Sequence, residues 1–166
     1  MRFALIASLA ALAACATMTE PLPAPRYADA ASRGALAAFI AGRPTQAQVE
    51  RTGESWSLAL RDSLACGVPV RHVIDAGLVG ALEMGAMNAA MTRGDEAEVR
   101  EGVRRYVRQL FSTVTERRDR PDDYRCDALS NWAPRTADQG REAVQRARRN
   151  GLMDDDYGLL LDLLSR

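Results

Sequence analysis

Side chains able to act as acids, bases, nucleophiles or metal ligands are scattered in this 166-residue chain: cysteines at 15, 66 and 126, one histidine, and 22 Asp and Glu residues. His72 has Asp75 three residues on, close enough on one helix for the carboxylate to orient a ring nitrogen. No Gly-x-Ser-x-Gly elbow offers His72 a nucleophile, so a structural role is the expected one. Asp154-Asp155-Asp156 lacks the alternating ligands, central Gly and terminal Glu of an EF-hand loop, and is expected to place negative charge at a helix start. No Cys-x-x-Cys spacing suggests a thioredoxin-like or zinc-knuckle site, and no metal or cofactor is expected. Glu54, Glu83 and Glu142 stand isolated on predicted helices. A glycan-cleaving enzyme can work with carboxylic acids alone. Glu83 is the least ordinary of the three, because its helix is otherwise mostly Ala, Gly, Val, Leu and Met; its position opposite Ile74, Ala81 and Gly85 predicts exposure to solvent. No catalytic residue is assigned.

The chain opens with one positive charge, Arg2, and an apolar run ending in Leu12-Ala13-Ala14-Cys15. The run is shorter than the roughly 17–25 residues that cross a bilayer, and its charged start fits a processed secretion signal. Leu12-Ala13-Ala14-Cys15 resembles the lipobox of bacterial lipoproteins, a resemblance confined to residues 1–15. It implies cleavage before Cys15, acylation of that cysteine, and attachment to a membrane. Retention at the inner membrane in such lipoproteins usually needs an Asp after the cysteine. Ala16 stands there, which implies the outer membrane with the domain facing the periplasm. Several acyl chains bury enough methylene groups for lasting attachment, whereas a single chain binds reversibly.

With Cys15 assigned to lipid, Cys66 and Cys126 remain as a pair in a compartment where disulfides form. Joined, they close a loop of about 60 residues, for which chain entropy gives roughly 4 kcal/mol. Two separately buried thiols are the alternative. The chain has 22 Arg, no Lys and 22 acidic residues, so it lacks the positive excess with which a nucleic-acid binder neutralises phosphates.

Residues 1–14 therefore read as a signal peptide, 15–31 as the lipidated N-terminus and a tether, and 32–166 as one helical domain. Residues 16–30 contain three prolines within five positions and little apolar periodicity; fully extended they reach about 50 Å. Beyond them apolar residues recur at helical spacing. Leu36, Phe39 and Ile40 mark a short helix ending near Gly42. Thr45 and Gln48 form a capping box for a helix running to about Cys66, with Gly67 to end it. After Pro69 a helix to about Thr92 carries small residues at 81, 85 and 89, which allow another helix to approach closely. Its Met84, Met87 and Met91 read as core fill. Asp95 and Glu98 suggest a cap for a helix over 96–118, with Val99, Val103, Tyr106, Leu110 and Val114 inward. A long connection from 117 to Pro134 follows, packed down by Trp132. A fifth helix runs from Thr136 to Asn150-Gly151, and a last one near Asp154 buries Leu160, Leu161 and Leu164. The fold class is all-α, a compact domain of about six helices with one structural disulfide.

Arg100, Arg104 and Arg108 recur every four residues opposite the apolar stripe of their helix, partly offset by Glu96 and Glu101 as i,i+4 partners of Arg100 and Arg105. Together with Arg117, Arg118, Arg120 and Arg125 they form the candidate partner-binding surface, suited to a carboxylate-bearing envelope protein or an anionic cell-wall polymer. The expected function is a lipid-anchored binding or scaffold component of an envelope assembly. A peptidoglycan-directed carboxylate enzyme and an inhibitor of an envelope-active enzyme are the alternatives.

Overall fold

A computed structural model of the protein describes residues 21–36, 42–114, 119–154 and 157, and among these it contains five helices and no strand. They are α1 (Ala28–Ser32), α2 (Gln46–Ala65), α3 (Val70–Thr92), α4 (Glu96–Val114) and α5 (Asp123–Arg149). The all-α class and the bond between Cys66 and Cys126 are as the sequence predicts.

The core is organised around α3, which all four other helices touch. This helix is long and apolar enough to cross a membrane, but 89% of its apolar window is buried inside the fold, which makes it the core helix. Its neighbours come close because glycines sit where they cross. A Cβ at Gly85 would lie 2.8 Å from the Val103 nitrogen and the Val99 oxygen of α4, and Gly102 of α4 faces Gly85 in return. Gly80 receives the Trp56 ring of α2, and Val79 packs into the space left by Gly140 of α5. Backbone contact at these crossings brings every neighbour into dispersion range of the central helix.

The capping box of α2 forms as its sequence indicates: the Gln48 amide donates to the Thr45 hydroxyl, and the Thr45 amide donates to the Gln48 side chain at 2.7 Å. At the other end Gly67, with φ of +78°, reverses the chain so that the Val68 amide reaches the Ser63 carbonyl. Asp95 caps α4 by accepting from the Ala97 and Glu98 amides, but Glu98 turns back to the Thr92 hydroxyl instead of completing a box. The inward stripe of α4 is Val99, Val103 and Val107, with Tyr106 and Leu110 half-buried beside it. Val107 takes the central place that residues 106 and 110 were expected to share.

Two expectations need correction. First, the tether does not extend to residue 31: Leu22 and Tyr27 pack on the core, and Ala28, Ala30 and Ala31 are buried within α1. Of the short helix expected around Leu36, Phe39 and Ile40 lie outside the described residues. Second, no connection runs to Pro134. Helix α5 begins at Asp123, capped by the Asp122 carboxylate accepting from the Arg125 amide at 2.7 Å, and continues through Pro134. A proline inside a helix removes one amide donor and costs about 3 kcal/mol. Burial of Leu129, Trp132, Ala133, Thr136 and Ala137 on one face offsets that cost. Five helices are described; Leu160, Leu161 and Leu164 of the expected last helix lie outside the described residues. So do the signal run, Cys15 and residues 115–118.

The disulfide joins the C-cap of α2 to the first turn of α5, with the Cα atoms 5.3 Å apart. It therefore fixes the start of a helix, not a loose connection. Beside it Arg125 meets Asp62 at 3.5 Å, both largely shielded from solvent.

Replacing Gly85 with Ala forces the backbones of α3 and α4 apart and should lower the unfolding free energy by about 2 kcal/mol or more in urea denaturation; an unchanged midpoint would mean the helices do not cross there. Converting Cys66 and Cys126 together to Ser should cost roughly 4 kcal/mol, as expected for the 60-residue separation. Equal stability of the oxidised and doubly substituted chains would show that the bond does not constrain the unfolded state.

Candidate functional site

The least expected feature is the environment of Glu83. It lies at the middle of α3 with only 1% of its surface exposed, the opposite of the solvent-facing position inferred from the helical wheel. The wheel reading assumes one wet face, and the middle of α3, residues 76–87, has none: the N-terminal segment covers the side left open by α2, α4 and α5. The Glu83 Oε1 accepts from the Arg26 amide at 2.9 Å, and Oε2 accepts from the Tyr27 and Ala28 amides at 2.7 Å each. These are the unsatisfied amides at the start of α1, so a carboxylate from another helix caps it. Burial pushes the Glu83 carboxyl above the ordinary carboxylate range, against the three amide bonds and the nearby Arg26 charge, which pull it down.

Other bonds hold the same segment. The Trp132 indole donates to the Pro23 carbonyl at 2.8 Å, and its ring packs against Trp56 with centroids 5.6 Å apart. Arg146 of α5 pairs with Asp29 and also reaches the Ser32 hydroxyl. Asn150 donates to the Ser32 carbonyl at 2.9 Å. Trp132 thus packs down a segment more than a hundred residues away in sequence, not the local connection assigned to it. Only the oddity of one Glu in an apolar helix signalled this arrangement; the wrapping segment could not be read from residue types.

Between this segment, residues 42–44 and the first half of α2 lies a cavity of about 590 Å³. Arg26, Arg43 and Arg51 line it together with Gln48 and Thr52, and among the described residues Glu83 is the sole carboxylate in its lining. None of these arginines was singled out by sequence spacing, because they come from three separate stretches of chain.

The predicted partner surface assembles only in part. Arg100, Arg104 and Arg108 do share one face of α4, but two of them hold the turn that follows α5. The Arg100 Nε donates to the Gly151 carbonyl at 2.6 Å, and Arg104 forks onto the Asp154 carboxylate at 3.0 and 3.4 Å. Arg108 pairs with Glu101 at 3.6 Å, the acid that sequence spacing assigned to Arg105. Arg120 pairs with Asp123, and Arg125 turns inward onto Asp62. Arg117 and Arg118 lie outside the described residues. Most of the ladder is therefore occupied within the molecule.

The remaining candidates are placed as follows. Asp75 faces Arg71 across 4.0 Å, and half-buried His72 receives no carboxylate bond from it. Asp154 serves Arg104, while Asp155 and Asp156 lie outside the described residues. Glu54 is exposed, and Glu142 pairs with Arg146. Among the described residues no group of three or more His, Cys, Asp or Glu side chains is placed to hold a metal ion.

Comparison with protein-family models, curated proteins and solved structures gives no match to the chain.

Glu83 yields a two-part prediction. Glu83→Ala leaves three amides without their charged acceptor and should cost about 3 kcal/mol. Because the native carboxyl titrates above its unfolded counterpart, the folded state holds a proton that the unfolded chain has already released. Stability referable to Glu83 is thus greatest below the ordinary carboxylate range and declines as pH rises through the native value. Unfolding free energies of wild type minus Glu83→Gln, measured across that range, should fall with rising pH and then level. A difference that climbs with pH would reverse the assignment.

Proposed function

We propose that the chain is a lipid-anchored envelope protein whose helical domain acts as a binding or scaffold component facing the periplasm at the outer membrane. The observation that supports this most is the clamp on residues 22–32. Leu22 stands only seven positions after Cys15, a stretch that can extend at most about 25 Å. The expected tether is roughly halved, and a domain attached through Cys15 is held close to the lipid surface with its N-terminal side toward it. Such placement raises local concentration and restricts orientation, which is what a docking component of an assembly requires. Binding needs no cofactor, and the groups that face outward are arginine forks and their acidic partners.

The competing reading, a peptidoglycan-directed carboxylate enzyme, draws on one observation: Glu83 lies in the wall of a cavity with its carboxyl raised. Both of its oxygens are engaged by backbone amides, so acting as an acid would require the N-terminal segment to release them. Loss of glycan cleavage in Glu83→Gln, with the fold intact, would establish that reading.

The anchor reading is tested by intact-mass analysis and fractionation of the protein from its native cells, followed by affinity recovery of partners. The expected product starts at Cys15, carries acyl chains and sediments with membranes, while Cys15→Ser is released. Recovery of unmodified protein from cytosolic extract with residues 1–14 still attached would end the proposal.

A further inference from the structure

The cavity beside α2 gathers positive charge in a chain whose formal net charge is zero. Among the described residues three arginines and one carboxylate line it, and that carboxylate is already held by three backbone amides. Among the described residues Arg26, Arg43 and Arg51 form no ion pair. The Arg51 Nε donates to the Ala47 carbonyl of its own helix at 3.2 Å, and the Arg43 Nε, cut off from solvent, meets no acceptor. Arginines that line one concavity without a direct ion pair leave a site whose electrostatics suit an anion.

The neutral donors narrow its chemistry. The Gln48 side-chain oxygen is taken by the Thr45 amide, which leaves the NH2 group as its available function, and the Thr52 hydroxyl lies in the same lining. Several guanidinium forks with neutral donors around one cavity suit a tetrahedral group with three or four acceptor oxygens better than a carboxylate with two. Leu22, Pro23 and Met87 supply apolar wall. A volume of about 590 Å³ falls in the range of sites for small organic ligands and exceeds the needs of an inorganic ion alone.

We infer that this cavity is a binding site for a phosphate-bearing ligand, held by Arg43 and Arg51 of the domain and by Arg26 of the clamped N-terminal segment. Because the Arg26 amide is itself bonded to Glu83, the site is complete only with the segment docked. The phosphate can come from a lipid headgroup or from a free phosphate compound. The first source rests on the anchored reading, which keeps the cavity within reach of the bilayer; the second does not.

The test is calorimetric titration of the full chain, as isolated from cells in a non-ionic detergent, at fixed ionic strength. One arm uses inorganic phosphate, and the other uses dihexanoyl phosphatidylglycerol as a monomeric headgroup donor. Saturable binding in at least one arm is expected, weakened at least tenfold by Arg43→Gln and by Arg51→Gln. Arg51 is exposed on α2, so its substitution leaves the helical circular dichroism unchanged and remains informative if Arg43→Gln misfolds. Binding in the first arm alone identifies a free phosphate compound, and binding in the second identifies a headgroup. No saturable binding in either arm, or affinities that Arg51→Gln leaves within twofold, overturns the site. Intact mass of the same sample reports acylation of Cys15 independently, so a lost anchor and a lost site are told apart.

Discussion

A carboxylate sealed inside a protein needs donors, and Glu83 obtains all of its own from the backbone at residues 26–28. The dependence runs both ways. Without Glu83 the first amides of α1 would be buried unpaired, and without the N-terminal segment a carboxyl would face an open apolar helix. This exchange makes residues 22–32 part of the domain and gives α3 a cover on its last side. The indole of Trp132 and the side chains of Arg146 and Asn150 then fasten the same stretch to α5 and the turn after it, and α5 is fixed at its other end by the disulfide to α2.

Close packing around α3 is the second constraint. Glycines at 80, 85, 102 and 140 bring three helices against it at distances no side chain would permit. Between Ala76 and Met87 the helix is buried on every side, and this explains both the apolar composition of that stretch and the need to satisfy its one acid internally. Charge is correspondingly displaced to the outer surfaces, where several arginines are matched by carboxylates. Among the described residues the three arginines that line the cavity beside α2 form no ion pair.

The sequence carried the helices whose signals are local. The Thr45 and Gln48 box, the Gly67 stop, the start after Pro69 and the Asp95 cap are set by residues within a turn of one another, and all lie where their chemistry indicates. Periodicity also located Val99 and Val103, and compartment reasoning paired Cys66 with Cys126. What failed depended on distant partners. Pro134 reads as a break unless the burial of Leu129, Trp132 and Ala137 is known, and Glu83 reads as exposed unless α1 is known to cover it. The arginine ladder of α4 was legible as a face, but its occupation by Gly151 and Asp154 was not, since those residues lie about fifty positions away.

The clamp between the N-terminal segment and α3 is tested most directly by amide hydrogen exchange in the full chain. The account predicts that the amides of Arg26, Tyr27 and Ala28 exchange as slowly as those in the middle of α3, opening only with the whole domain. Exchange of these three at the rate of an unstructured peptide, while α3 stays protected, would contradict it.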